Sequence, residues 1–517
     1  MPPSQRRRAM LRIAAGLAAA ALFAPMAPRR VRAQPRFGKD PFTLGVASGS
    51  PRPDGVVLWT RLAPEPLAGG GMPNSSVELS WELARDEHFR DIAQKGAVLA
   101  TPELAHSAHV EVGGLEPARW YWYRFMAGDA VSTVGRTRTA PAVNAIVERL
   151  RFAFASCQQY EQGYFAAHRH LAAEDLDLVV FLGDYIYESS WGRNHVRKHN
   201  AGEPYTLSEY RNRYALYKSD PNLQRSHASA PWIVTWDDHE VDNDYAGDQS
   251  EYLDPNFLAR RAAAYRAYYE HMPLARRALP RGPDAQLYDS FVFGDLATFF
   301  VLDDRQYRTR QACPKPGRGG SNVVADCAER LASDRTMLGS TQEAWLKNGL
   351  AHTRTKWNVI AQQTLMAQHD HKRGLGQSYW TDGWDGYPVA RARLLNDIAQ
   401  VKPSNPLVIG GDVHCTWIAD LKPDFDDPRS PVVATEFCGT SITSQGPSQK
   451  RVLAWLAENP HLRYGNGEKR GYVTVEIRRN ECTATLRALD SEKRADSGIS
   501  TLATFAVANG RPGAQQT

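Results

Sequence analysis

Six short apolar runs in this 517-residue chain end abruptly in residues that bind metals or move protons. Run 150–155 leads to Ser156-Cys157, run 176–182 to Gly183-Asp184-Tyr185-Ile186-Tyr187, and run 232–236 to Asp237-Asp238-His239-Glu240. Run 299–302 leads to Asp303-Asp304-Arg305-Gln306-Tyr307, run 359–361 to Gln362-Gln363, and run 407–409 to Gly410-Gly411-Asp412-Val413-His414. Thiolate, phenolate, imidazole and carboxylate together describe a transition-metal site, with oxygen-rich positions left for a hard cation. Asp184 and Tyr187 stand three apart at a strand end, so one turn can aim both at one ion. Asp412 and His414 stand two apart; an extended strand keeps them on one face, whereas a turn splits them between neighbouring ions.

The elements that must position these residues follow from the runs themselves. Continuous apolar stretches read as strands buried on both faces, and open α/β sheets bind ligands beyond the carboxyl ends of their strands. One such ending means little, since any loop can carry an aspartate; six in order predict a single loaded rim. Residues 42–141 have a different pattern, with Val, Trp and Tyr alternating with polar residues at 56–60, 77–82 and 120–125. That alternation predicts half-buried antiparallel strands, and about 100 residues of it a small β-sandwich. The sandwich carries no cluster of His, Cys or carboxylates and is expected to be a structural module. Thr139-Ala140-Pro141-Ala142-Val143-Asn144 reads as a linker, giving regions 34–143 and 149–517.

The first 33 residues are expected to serve export. A basic start, an apolar stretch over 11–26 and Val31-Arg32-Ala33 form a secretory signal with a cleavage site after Ala33. Arg7-Arg8-Ala9-Met10-Leu11 is similar to a twin-arginine signal, which implies the twin-arginine translocase as partner and a periplasmic or extracellular destination. That segment holds seven arginines and no acid; without it, 55 basic residues face 57 acidic ones, so the net charge of +5 falls to −2. A near-neutral body excludes a general polyanion binder, and no nucleic-acid partner is expected. No apolar run beyond the first thirty residues reaches the ~20 needed to span a bilayer, so no transmembrane segment is expected in the mature protein. In an oxidising compartment Cys313 and Cys327, in a Gly/Pro/Ser/Asn-rich stretch, can close a short loop worth about 3 kcal/mol. The other four cysteines show no readable pairing.

The order Cys157, Gly183-Asp184-x-x-Tyr187, Asp237-Asp238-His239-Glu240, Gly410-Gly411-Asp412-Val413-His414 resembles the calcineurin-like metallophosphoesterases. Within them it is similar to the PhoD-like alkaline phosphatase/phosphodiesterase family, from the 42–49 opening to about residue 450. The resemblance implies a fibronectin-III-like N-terminal sandwich followed by a four-layer αββα metallophosphoesterase sandwich. It implies Fe3+ on Cys157, Asp184, Tyr187 and His414, and Ca2+ on Asp184 as bridge with Asp238 and Asp412. A further oxygen comes from Asn243 or Gln363, and the sequence does not choose. His239 takes the place of the family's catalytic histidine, and the substrate is a phosphate mono- or diester attacked by metal-activated water. Oxygen donors where relatives use imidazole shift the preference from zinc towards calcium.

Each of these residues has a plainer reading. Cys157 can be an ordinary buried thiol, Asp184 and Tyr187 a helix cap and a packing ring, and Asp238 and His239 part of a solvated acidic loop with Asp242 and Asp244. Arg305 can clamp phosphate bidentately or serve a structural ion pair. His369 and His371 follow no strand end and read as surface histidines or substrate contacts. A phospholipase D-like diesterase and a non-catalytic metal-binding module are the rival functions. A serine hydrolase is disfavoured, because no G-x-S-x-G elbow occurs.

Overall fold

The computed structural model describes residues 36–517, so the expected export segment lies outside the described residues. The apolar runs are strands, and Leu178–Leu182, Trp232–Thr235, Trp357–Ala361 and Pro406–Gly410 are buried at every position. Arg149–Ala155, Leu178–Leu182 and Trp232–Thr235 pair in parallel at the centre of a ten-stranded sheet. Ala297–Val301, Trp357–Ala361 and Pro406–Gly410 pair in parallel within a seven-stranded one.

Strand periodicity decides which layer each side chain joins. Phe152, Phe154, Val180 and Ile233 point inward to meet Phe299, Val301, Val359 and Ile409 of the facing sheet. Ala153, Val179, Phe181 and Val234 point outward, under Tyr210 and Tyr214 of helix Leu207–Lys218 and Tyr265 and Tyr268 of helix Phe257–His271. On the seven-stranded sheet, Phe300, Ile360 and Val408 face helices Gly339–His352 and Pro388–Val401 through Leu346, Leu350, Leu394 and Ile398. The mixed, sheet-rich architecture therefore buries apolar side chains on both faces of each parallel core.

The N-terminal region differs from the expected self-contained sandwich. Val46–Arg52, Gly55–Arg61 and Ser107–Val112 are the last three strands of the ten-stranded sheet, joined to it where Gly49 pairs in parallel with Trp232. A separate five-stranded sheet that includes Val77–Ala84, Ile92–Ala100 and Trp120–Ala127 covers them around Leu58, Val110, Leu79, Tyr123 and Phe125. Alternation along a strand reports which face is buried but not which neighbour its edge will take, so the sequence could not show this continuation. The seam is fastened by Trp59 Nε1 donating to the Glu270 carbonyl at 3.1 Å and by an Arg138–Asp177 ion pair. His109 adds a stacked contact with Tyr269, ring centroids 4.2 Å apart. Cys313 and Cys327 are disulfide-bonded; Cys157, Cys415, Cys438 and Cys482 are buried free thiols.

The seam has no room for a side chain at Gly49. A Cβ there would stand 2.6 Å from the Pro273 carbonyl and 2.7 Å from that of Trp232, both backbone atoms that cannot rotate away. Gly49→Ala is expected to cost about 1–3 kcal/mol, read as a lowered midpoint of chemical unfolding; an unchanged midpoint would contradict the seam's tightness.

Candidate functional site

All six strand ends meet on one rim, three from each sheet. Cys157 N donates to the Gly183 carbonyl at 3.1 Å, and Gly411 N donates to the Gln363 carbonyl at 2.7 Å, linking neighbouring ends within each sheet. Across the sheets, Gln363 Nε2 donates to Thr235 Oγ1 at 2.9 Å and to the carbonyls of Trp236 and Leu302 at 2.8 and 3.0 Å. The chain leaves several strands by a sharp reversal: Cys157, Asp184, Asp412 and His414 all have positive φ, between 53° and 63°. Non-glycine residues adopt this region at a cost of order 1–3 kcal/mol each, and such strain clusters where side chains must be aimed. Gly183, with φ 99°, makes one reversal possible, because a Cβ there would meet Asp237 Cβ at 2.5 Å.

The aimed side chains form three overlapping groups, each with donor atoms within 4.8 Å of one another: Cys157, Asp184 and His414; Asp184, Asp238 and His239; Asp237, Asp238 and Asp412. Asp184 and Asp238 each belong to two groups, so the groups form a continuous row. Tyr187 joins the first, its hydroxyl 2.6 Å from Asp184 Oδ2, 3.1 Å from His414 Nε2 and 2.8 Å from Ser444 Oγ. Asn243 lies on the cleft wall and gives its amide Nδ2 to Glu251 at 3.0 Å. Gln363 has its amide nitrogen fully used and its Oε1 buried without a partner. His369 and His371 line the same cleft, with His369 buried and its Nδ1 3.1 Å from His371 Nε2.

Arg305 corrects a sequence expectation. Rather than standing free to clamp phosphate, it is fully buried: Nε donates to Asp237 and Nη1 to Asp382 at 2.6 Å. Its Nη2 lies 3.6 Å from Asp238 and 3.9 Å from Asp412. Its donors are turned towards carboxylates, so it acts as an internal counter-charge that sets their spacing. Sequence reasoning also passed over two glutamates, one beside and one inside the quoted motifs. Glu188, next to Tyr187, accepts from His239 Nδ1 at 2.6 Å and from Asn243 N at 3.0 Å. Glu240 accepts from Asp184 N at 3.1 Å, Tyr185 N at 2.6 Å and Asp237 N at 2.8 Å, tying two strand ends together. Their adjacency to candidate ligands was the available signal.

The electrostatics show a deficit of positive charge. Burial, then neighbouring carboxylates and Arg305, leave Asp237 raised to about 6, while Asp184 and Asp412 are pushed well up by burial and nearby acids. Burial and Asp184 likewise raise the Cys157 thiol. Burial alone would raise Asp238 too, but Arg305 and His239 hold it low. Burial opposes charge on His239 and is outweighed by Glu188, Asp238 and Asp184, which keep the imidazolium. Burial and Arg470 lower His414 to about 3, so it is neutral and has a lone pair to offer. Asp184 Oδ1, Gln363 Oε1 and both oxygens of Asp304 are buried with no hydrogen-bond partner. Buried oxygens are otherwise almost always paired, and a cation supplies both the missing partner and the missing charge. The donor set therefore fits metal ions: thiolate, phenolate and imidazole at one end of the row, oxygen alone at the other.

The cleft above the row encloses about 880 Å³ and is walled by Trp191, Tyr252, Trp380 and Trp455 together with Glu203, Glu251 and Arg451. The profile of the PhoD-like phosphatase family matches residues 152–486, and that of its N-terminal domain residues 26–141. Alkaline phosphatase D of Bacillus subtilis (strain 168) is 49% identical over 488 residues, covering 92% of this chain and 82% of that protein. A solved structure described as that of PhoD superposes with a TM-score of 0.90 at 47% identity, covering 93% of each chain.

Glu240 offers a test of how the row is held. Glu240→Gln leaves one acceptor oxygen for three backbone donors, so at least one buried N–H loses its partner, at about 1–3 kcal/mol. Lower stability together with lower phosphoesterase activity is expected from unfolding and rate measurements. A variant equal to wild type in both would show that the strand ends are held by other contacts.

Proposed function

Because the chain belongs to the PhoD-like phosphatase family and is a phosphoric ester hydrolase, we propose that its cleft hydrolyses phosphate mono- or diesters with two unlike cations, Fe3+ and Ca2+. Cys157, Asp184, Tyr187 and His414 would hold the iron, the softer and phenolate donors being grouped there. Asp184, Asp238 and Asp412, with an amide oxygen of Gln363 or Asn243, would hold the calcium among hard oxygens. Of the two amides, Gln363 is favoured by its unpartnered buried Oε1. When bound, such cations neutralise phosphoryl oxygens and lower the pKa of water. The observation that carries this reading is the row of three donor groups sharing Asp184 and Asp238.

The chain's own residues supply the rest. Glu188 fixes the His239 ring through Nδ1, leaving Nε2 as the nitrogen free to serve substrate. His239, protonated, donates from there to the departing alkoxide oxygen as water attacks phosphorus from the opposite side. The ring lies against Tyr187, centroids 4.1 Å apart, which restricts its rotation. Arg305 keeps Asp237, Asp238 and Asp382 from spreading under their own repulsion. On this reading the two sheets between helices form the four-layer αββα arrangement over 149–517, with N-terminal strands between residues 46 and 112 extending one of the two sheets. Arg7-Arg8 at the start of the chain supports export by the twin-arginine route, which carries folded, metal-loaded proteins to the periplasm or beyond.

Two experiments test this. A calcium chelator is expected to abolish hydrolysis of p-nitrophenyl phosphate and its bis ester, with activity returning on Ca2+ addition while iron stays bound. Full activity in protein shown to be calcium-free would overturn the two-cation reading. Changing Arg7 and Arg8 together to Lys is expected to trap precursor in the cytoplasm; normal secretion would remove the twin-arginine assignment.

A further inference from the structure

The two sides of the cleft differ in chemistry. Glu188, Glu203, Asp242, Asp244 and Glu251 line it from segments that follow strands of the ten-stranded sheet. His369, His371 and Trp380 follow Trp357–Ala361 of the seven-stranded sheet, and Arg451 and Trp455 lie on helix Gln449–Glu458. Asp370 and Asp385 stand buried behind this second side and are turned to inner donors. Asp370 accepts from the backbone N–H groups of Lys372 and Ser378 at 2.8 Å, and Asp385 from Arg391 Nη1 at 2.6 Å and His369 N at 2.9 Å.

His371 is the polar group on this side whose aim is fixed. Trp455 Nε1 donates to its carbonyl at 3.2 Å, and the two rings lie 4.7 Å apart. Its Nε2 is turned inward, 3.1 Å from His369 Nδ1, which leaves Nδ1 as the ring nitrogen for the cleft, with no partner among the described residues. Burial keeps both imidazoles neutral at neutral pH, so each ring carries one proton. If His371 donated across the shared contact, His369 would carry its own proton on Nε2, buried beside Trp417 and Trp455 without a partner. Buried N–H groups without an acceptor are rarer than bare acceptors. His369 Nδ1–H is therefore the donor of the pair, and the proton of His371 sits on Nδ1.

We propose that His371 Nδ1–H, with Arg451 beside it, determines specificity by holding an acceptor oxygen on the ester substituent that a phosphodiester retains. This rests on the phosphodiester reading of the cleft. There the leaving oxygen lies by His239, on the side built from the ten-stranded sheet, and the retained substituent turns to the side of His371. The Arg451 guanidinium lies 5.5 Å from the Trp455 ring and forms no ion pair among the described residues, so its donors are free. Trp380 and Trp455 add flat apolar area. Oxygen-bearing substituents fit this side better than plain alkyl groups.

Steady-state hydrolysis of two diesters with one leaving group tests the proposal. Thymidine 5′-(p-nitrophenyl phosphate) retains a nucleoside with acceptor oxygens; methyl p-nitrophenyl phosphate retains a methyl group with none. Wild type is expected to favour the first in kcat/KM. In His371→Phe the ratio of the two kcat/KM values should fall about five- to tenfold, the worth of one hydrogen bond, through a higher KM for the thymidine ester. His371→Asn, which keeps an amide N–H near the Nδ1 position, should recover part of that ratio. Arg451→Met, at an exposed position that folding does not depend on, should lower it as well. A wild-type ratio in His371→Phe or Arg451→Met, or an equal loss on both esters, would overturn the proposal and leave the phosphodiester reading intact. A wild type that hydrolyses neither diester would overturn both.

Discussion

Everything at the functional end of this protein depends on one constraint: more negative charge is buried there than the chain itself can neutralise. Asp184, Asp237, Asp238 and Asp382 converge with Glu188 and Glu240, all held away from water, and Asp412 joins them half-buried at the cleft. Arg305, Arg308 and the His239 imidazolium are the internal cations set against them. Such an arrangement is unstable alone, because removing carboxylates from water costs several kcal/mol each unless they are paired. The surroundings accordingly over-determine every position: backbone donors fix Glu240, three acceptors fix the Gln363 amide, and aromatic layers under both sheets resist displacement. The deficit that remains marks a candidate cation site, defined by shape and charge together.

The strained backbone belongs to the same account. Cys157, Asp184, Asp412 and His414 are held at positive φ because a strand end must fold its side chain back over the rim. Strands buried on both faces supply the rigidity that makes this possible, since a one-residue slip in any of them would put the donor on the wrong side. Family membership and the geometry meet here, as the segment matched by the phosphatase profile contains all six strand ends.

Legibility in the sequence followed physical locality. The six strand ends were readable because a continuous apolar run and the polar residue after it are adjacent in the chain. Cys157, Asp184, Tyr187, Asp238, Asp412 and His414 are brought together as that pattern implied. What depended on partners distant in sequence was not readable. Arg305 could be read as a phosphate clamp or as an ion pair, because its acceptors Asp237 and Asp382 lie 68 and 77 residues away. The merging of the N-terminal strands with the main sheet rests on one pairing, Gly49 with Trp232, that no alternation pattern reports. What favours Gln363 over Asn243, a buried Oε1 with no hydrogen-bond partner, is likewise a property of the folded molecule alone.

The central claim is that the thiolate, phenolate and imidazole end of the row holds ferric iron. A phenolate or thiolate bound to Fe3+ gives a visible charge-transfer band, which Zn2+ and Ca2+ cannot produce. The most direct measurement is the visible spectrum of the purified protein beside its metal content, for wild type and Tyr187→Phe. The account predicts a coloured, iron-containing wild type bleached by dithionite, and a band shifted or lost in Tyr187→Phe, where the ring remains to pack. A colourless, active wild type that contains zinc and no iron would contradict it.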